Sequence, residues 1–127
     1  MQAIFDARKA GRLDAIMCVV ISNNSRSAAL RRAGRKQVPF YHLSERTHPG
    51  PENLDGAILR TLEKHEVNLV VLAGYMKLLG PKTLSRYRGR ILNVHPALLP
   101  NFGGKGFYGR AVHKAVLVAG ERVTGVT

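Results

Sequence analysis

Hydrophobic residues occur along the chain in two patterns that alternate. Continuous apolar runs, typical of strands buried on both faces of a parallel sheet, occupy residues 15–21 and 69–73, and a third strand is predicted over 91–94. Between them lie apolar residues at helical spacing, most clearly Leu54, Ile58 and Leu62. Helices that alternate with buried strands predict an α/β fold built on a mostly parallel, doubly wound (Rossmann-like) sheet.

Glycine, proline and capping residues set the bounds of the remaining predicted elements. Gly11, Gly34 and Pro81 are expected to stop or start helices. The predicted helices cover residues 2–10, a segment ending near 33, 52–66, a short stretch from 81, and 109–119. A short strand is predicted over 38–41, loops over 44–51 and 96–106, and the start of a strand over 123–127.

Length and composition restrict the class of protein. A chain of 127 residues with 45% apolar content can bury one core, so we expect a single domain over residues 1–127. No apolar run reaches the roughly 20 residues of a membrane helix, and residues 1–12 lack the pattern of a secretory signal. The single cysteine, Cys18, excludes an internal disulfide and is interpreted as a buried thiol. A reducing cytoplasm is the expected compartment.

Charge indicates an anionic partner without identifying it. Twenty Lys and Arg against eight Asp and Glu give a net charge of +12. No acid lies between Glu66 and Glu121, a stretch that contains eight basic residues. Such a balance attracts nucleic acid, anionic lipid or phosphorylated small molecules. Because aromatic residues are not interleaved with the basic ones, a solvated basic face is the preferred interpretation.

The strongest candidate chemistry lies at the carboxyl end of the strand predicted over 91–94. By the two-residue period of a strand, Asn93 and His95 project to the same face. An amide N–H can stabilise a developing oxyanion, and an imidazole can accept or donate a proton near neutral pH. The pair suits chemistry at a carbonyl, although a structural role for His95 stays open at this point.

A second candidate follows the apolar run at 69–73. Ligands of open α/β sheets bind beyond the carboxyl ends of the strands. Met76, Leu78 and Leu79 would form an apolar wall there, suited to a flat ring. The alternative is that this segment begins a helix and that its apolar residues join the core.

The third candidate is a glycine-rich loop over 98–106 that precedes the last predicted helix. Glycines, Lys105 and a helix N-terminus can host an anion, but the spacing does not match a P-loop. An ordinary loop is therefore the preferred interpretation. His42, His48 and His65 have no metal-binding spacing, and no metal is expected.

Together, LVVLAGYMKLLGP (69–81) and ILNVHPALLPNFGGKGFYG (91–109) resemble the folate-dependent formyltransferases. The resemblance extends over nearly the whole chain and is greatest to the branch that acts in purine biosynthesis. It implies formyl transfer from 10-formyltetrahydrofolate to the amine of glycinamide ribonucleotide. The formyl folate would be a cosubstrate, with no metal required.

The resemblance also implies residue roles. His95 would manage the proton of the attacking amine, and Asn93 would hold the formyl oxygen and contact the folate. The family's folate-binding loop falls on Met76, Lys77, Leu78 and Leu79.

Two family segments are not found in the sequence: a first strand with its glycine-rich phosphate turn, and a D-x-G-P segment with a third catalytic residue. We therefore expect a fragment of a longer enzyme. An exposed sheet edge would leave room for a homodimer.

Other functions remain open at this stage. Methionyl-tRNA formyltransferase and formyltetrahydrofolate deformylase share the N-x-H motif. A non-catalytic, basic nucleic-acid-binding module is a different class of alternative, which only the charge supports. Nucleic acid and membranes are not the expected partners.

Overall fold

The computed structural model describes residues 1–104 and 106–127, within which helices and strands alternate. The helices are Gln2–Lys9 (α1), Ala28–Arg35 (α2), Pro51–Lys64 (α3), Pro81–Arg86 (α4) and Arg110–Val118 (α5). The strands are Val20–Ser22 (β1), Phe40–His42 (β2), Val70–Leu72 (β3) and Ile91–Asn93 (β4). This order confirms the predicted α/β class.

The described strands form two pairs. β1 and β2 are parallel, with Val20 opposite Phe40 and Ser22 opposite His42. β3 is hydrogen-bonded to β4. The chain divides into two compact units: the first comprises Met1–Val70 with Leu78–Arg90, and the second comprises Val71–Lys77 with Ile91–Thr127.

The core of the first unit forms where α2 packs on β1 and β2. Ser27 caps α2, since its hydroxyl accepts a hydrogen bond from the Leu30 N–H at 3.2 Å. Leu30 and Ala33 then lie on one helix face and bury themselves against Val20. The amphipathic period of α2 thus fixes the helix against the sheet.

The strand predicted over 15–21 is wrong in length and burial. Residues 13–19 are irregular, and Ile16 is 81% exposed. The reason lies in the partner strand: the first ladder bond joins the Val20 N–H to the Pro39 carbonyl, and Gln37 just before β2 has a left-handed φ of 56°. Residues before Val20 therefore have no β2 partner to pair with. Cys18, predicted to be buried, is half-buried.

The strand predicted over 69–73 is also shorter and more exposed than expected. β3 covers three residues, and Val71 in its middle is 42% exposed. The continuous apolar run predicts burial on both faces, but the face that carries Val71 is accessible to solvent. Period-2 alternation within the run therefore still decides which side chains are covered.

A buried carboxylate joins α3 to α4 within the first unit. Asp55 is 2% exposed, and its two oxygens accept hydrogen bonds from the Lys82 N–H at 2.8 Å and the Thr83 N–H at 3.1 Å. The buried Thr83 hydroxyl also donates to this carboxylate. These N–H groups belong to the first turn of α4, which lacks intrahelical partners there. Asp55 therefore caps α4 from another helix, and its charge is favourable at that helix N-terminus.

Two further residues complete the α3–α4 contact. Gly80 precedes α4 and lies so close to Asp55 that a Cβ atom at Gly80 would collide with the carboxylate. Tyr87 follows α4 and is almost fully buried. Burial raises the pKa of its phenol above the ordinary value, while Arg86 and Arg90 oppose that shift.

The second unit has its own small core of Ala97, Val112 and Val116, against which Phe102 and Phe107 pack. Residues 121–127 contain no assigned strand, contrary to the expected start of one. Thr127 nevertheless exchanges two backbone hydrogen bonds with His95, at 2.8 and 3.0 Å. In the described part of the chain, no helix has the length and apolar character needed to span a membrane.

We expect Asp55→Ala to lower the free energy of unfolding by roughly 3 kcal/mol, because two buried N–H groups and a hydroxyl lose a charged acceptor. Asp55→Asn should cost less, since one acceptor oxygen remains. Chemical denaturation of each variant measures the change. Glu52→Gln, an exposed change in the first turn of α3, is the control and should stay within about 0.5 kcal/mol of the parent. Equal stability of Asp55→Ala and the parent would contradict the capping role.

Candidate active site

His95 lies two residues beyond β4 with its ring held in one orientation. Its Nε2 atom lies 2.8 Å from the carbonyl oxygen of Phe102. A carbonyl oxygen can only accept, so Nε2 carries the hydrogen of this bond. The neutral ring is therefore the Nε2–H tautomer, and Nδ1 is the nitrogen left to exchange a proton.

The carbonyl that accepts from His95 is itself held in place. Phe102 has a left-handed φ of 55°, which is uncommon for a residue with a bulky side chain. Its ring packs on the core of the second unit and meets the Phe107 ring edge-on, with centroids 6.4 Å apart. Packing of this side chain thus fixes the direction of the backbone carbonyl.

Thr127 braces the backbone on the other side of His95. Besides its two backbone bonds to His95, Thr127 uses its hydroxyl to donate to the Ala97 carbonyl at 2.8 Å. The same hydroxyl accepts from the Leu99 N–H at 3.0 Å. The chain from His95 to Leu99 is thereby tied at three places, which reduces the freedom of the imidazole.

Asn93 is the last residue of β4, and its side chain is exposed. An exposed amide at a strand end is available to a ligand, in contrast to the half-buried, hydrogen-bonded His95. The two residues belong to the same unit and are separated by Val94 alone. An amide donor and an imidazole whose Nε2 is held by a backbone carbonyl can together act on a polarised substrate carbonyl.

The segment after β3 is irregular from residue 73 to residue 80. Met76 is 63% exposed and Leu78 is 96% exposed, so the alternative in which this segment begins a helix and joins the core is wrong. Gly109 lies beside Met76, since a Cβ atom at Gly109 would be 3.9 Å from the terminal methyl group of Met76. Met76 and Leu78 are therefore accessible to a ligand.

The structure groups the predicted residues in two sets. Met76 and Lys77 belong to the second unit together with Asn93 and His95. Leu78 and Leu79 belong to the first unit, in which Leu79 is half-buried.

The weaker candidates gain no support. Lys105 of the glycine-rich loop lies outside the described residues, so its role as an anion ligand stays a prediction. His65 is used structurally, with Nε2 3.0 Å from the Tyr41 hydroxyl and the two rings edge-on. Within residues 1–104 and 106–127, no three His, Cys, Asp or Glu side chains cluster as metal ligands would.

Sequence reasoning missed two groups that hold His95, the Phe102 carbonyl and the Thr127 hydroxyl, and one that joins α3 to α4, Asp55. Every residue has a backbone carbonyl, so the residue type at position 102 could not reveal that the Phe102 carbonyl accepts a hydrogen bond from His95. Asp55 did leave a signal, because it falls at i, i+3 and i+7 with Ile58 and Leu62 on the buried stripe of α3. An acid on an apolar stripe implies a partner.

Comparison with known proteins places this geometry in a family. The sequence model of the family described as formyl transferase matches residues 1–127. The chain is 39% identical over 127 residues to a phosphoribosylglycinamide formyltransferase of Haemophilus influenzae, covering 100% of this chain and 58% of the relative. It is 38% identical to a chloroplastic phosphoribosylglycinamide formyltransferase of Vigna unguiculata, covering 99% of this chain and 40% of the relative.

A solved structure agrees with the fold. Glycinamide ribonucleotide transformylase 1 of Geobacillus kaustophilus superposes with a TM-score of 0.88 at 40% identity, over 99% of this chain and 64% of that one. The chain thus spans between two fifths and two thirds of the length of these three proteins. The superposition confirms the predicted formyltransferase fold.

We expect nitrogen NMR of the imidazole to show His95 with its proton on Nε2 when the ring is neutral. Phe102→Gly, which tolerates the left-handed φ but removes the packing side chain, should increase the Nδ1–H population. Phe107→Leu is the control, because it leaves the Phe102 side chain in place and should preserve the tautomer. A parent ring with the proton on Nδ1 would contradict the bond to Phe102.

Proposed function

The chain belongs to the formyl transferase family, and from that membership we propose that it transfers a formyl group from 10-formyltetrahydrofolate to the amine of glycinamide ribonucleotide in purine biosynthesis. The observation that carries the proposal is the braced imidazole of His95, two residues from the exposed amide of Asn93 at the end of β4. The names of the relatives, at 38% and 39% identity, support the choice of acceptor.

In the proposed reaction the amine nitrogen of glycinamide ribonucleotide bonds to the formyl carbon. The bond between that carbon and the folate N10 breaks, the amine loses one proton, and N10 gains one. The products are the formylated ribonucleotide and tetrahydrofolate, so no oxidant, reductant or metal enters the balance.

The chain's own residues would act at two atoms. The Asn93 amide donates a hydrogen bond to the formyl oxygen as negative charge develops there. Nδ1 of His95 is the atom that holds or releases the proton, since Nε2 is engaged by the Phe102 carbonyl. The ties through Thr127 keep the ring from turning away, which lowers the entropy lost on reaching the reactive geometry.

The segment after β3 fits a flat, partly apolar cosubstrate. Met76 and Leu78 are exposed apolar side chains in an irregular stretch beyond a strand end, where open α/β sheets bind ligands. Gly109 lies beside the flexible thioether of Met76, which can adapt its shape to a ligand. We assign folate contact to Met76, Lys77, Leu78, Leu79 and Asn93. When bound, the formyl folate would supply the one-carbon group.

The wider setting is part of the proposal. We place the reaction in the cytoplasm, where the single cysteine, Cys18, would stay a free thiol. A second copy of the chain is the proposed macromolecular partner, and neither a membrane nor nucleic acid is assigned to the formyl-transfer site.

Replacing either catalytic side chain should abolish most of the transfer. With 10-formyltetrahydrofolate and glycinamide ribonucleotide, we expect Asn93→Ala and His95→Ala to lower the single-turnover rate by about a hundredfold or more. Release of tetrahydrofolate, followed by absorbance, gives the rate. His113→Ala, an exposed histidine on α5, is the matched control and should transfer at the parent rate. A parent chain that binds formyl folate without transferring the group would contradict the proposed activity.

Shortening the proposed folate wall should weaken binding without loss of stability. Leu78→Ala removes one methine and two methyl groups from the bound state, and at about 0.8 kcal/mol for each buried carbon this corresponds to a roughly fiftyfold higher Kd for tetrahydrofolate. Titration calorimetry measures the Kd of each variant for tetrahydrofolate. Leu117→Ala, another exposed leucine, is the control and should bind tetrahydrofolate as the parent does. Equal affinity of the two variants would remove Leu78 from the site.

A further inference from the structure

A basic pocket lies in the first unit, formed by elements other than those of the proposed transfer site. It has a volume of about 410 Å³ and is lined by Phe5, Arg8, Lys9, Lys36 and Val38. Arg8 and Lys9 come from the last turn of α1, and Lys36 is the C-terminal cap of α2. Three cationic side chains from two separate helices therefore converge on one concavity.

These cations are not neutralised internally. Arg8, Lys9 and Lys36 are exposed, and none has an ion-pair or side-chain hydrogen-bond partner among residues 1–104 and 106–127. The nearest acid along α1, Asp6, accepts a hydrogen bond from Gln2 at 2.9 Å. Residues 1–38 contain eight Lys or Arg against two Asp, so half of the chain's net charge of +12 arises there.

Complementing the helix dipoles does not account for this charge. Cations near a helix C-terminus stabilise the helix, and Arg8 and Lys9 do so for α1. The end of each helix carries only about half a negative charge. Three full positive charges around two such ends leave the pocket strongly positive.

The shape and lining of the pocket indicate the class of ligand. Its volume falls within the range of about 300 to 1,000 Å³ typical of small-molecule sites. The half-buried Val38 and the edge of Phe5, which is 8% exposed, supply a small apolar wall beside the cations, which suits a compact anion with a carbon part. Binding of single-stranded nucleic acid would favour exposed aromatic rings for stacking, whereas the Phe5 ring is buried.

We propose that this basic pocket binds the phosphate groups of a small molecule that carries a di- or triphosphate. Arg8 offers planar N–H donors to the phosphate oxygens, and Lys9 and Lys36 act as point charges on either side. Binding here involves neither folate nor the residues of the transfer site, so its failure would leave the proposed formyl transfer untouched.

Titration calorimetry with inorganic tripolyphosphate and with a nucleoside triphosphate tests the pocket. We expect both to bind, with affinity falling as salt is raised, and Arg8→Gln and Lys36→Gln each to raise Kd about tenfold. Lys114→Gln, an exposed lysine on α5, removes the same charge elsewhere and should change Kd less than twofold. Tighter binding of the nucleotide than of tripolyphosphate would assign the apolar wall to the nucleoside.

Three outcomes would overturn the proposal. The first is no binding of either anion by the parent chain at low salt. The second is an equal loss of affinity in Arg8→Gln and Lys114→Gln, which would indicate general charge attraction. The third is a single-stranded oligonucleotide that binds more tightly than either small anion and with a steeper salt dependence, which would indicate a nucleic-acid surface.

Discussion

The carboxylate of Asp55 is the constraint on which the first unit depends most. A charged group that is 2% exposed is tolerated only when its oxygens are fully hydrogen-bonded, and here the first turn of α4 and the Thr83 hydroxyl provide the donors. These hydrogen bonds also stabilise α4, because a helix of six residues would be only marginally stable alone. Gly80 is the residue that lets the two approach. The end of the segment after β3 is thereby fixed, just beyond Leu78 and Leu79.

In the second unit, His95 is likewise held by several hydrogen bonds, but its partners are neutral groups. A backbone carbonyl, a threonine hydroxyl and two backbone bonds hold one imidazole in one orientation. None of these groups carries a charge, so the imidazole is held in place by uncharged partners. The position of Phe102 matters through its packing and its φ, not through its chemistry.

The extent to which the sequence predicts this structure differs between element types. The helices were predicted to within a few residues, because Gly11, Pro81 and the spacing of Leu54, Ile58 and Leu62 act locally. Strand lengths failed, because a strand exists only where a partner offers hydrogen bonds, and Gln37 and Pro39 end that partner early. For the site, residue types and the motif pointed to Asn93, His95 and the 76–79 segment. The carbonyl of Phe102 and the hydroxyl of Thr127 could not be predicted, since both depend on contacts that only the folded chain creates.

Charge is the property whose interpretation changes most between sequence and structure. The acid-free stretch after Glu66 looked like a solvated basic face, yet several of its cations are engaged within the first unit. Arg86 pairs with Glu63 at 3.0 Å, Lys82 lies 3.8 Å from Glu52, and Arg90 lies over the Tyr87 ring while donating to the Arg86 carbonyl. The cations of α1 and of the cap of α2 have no such engagement in the described part of the chain. Anions are therefore attracted most strongly to the basic pocket beside Phe5, where unpaired cations surround a concave surface. The acid-free stretch after Glu66 attracts them less, because several of its cations are already engaged.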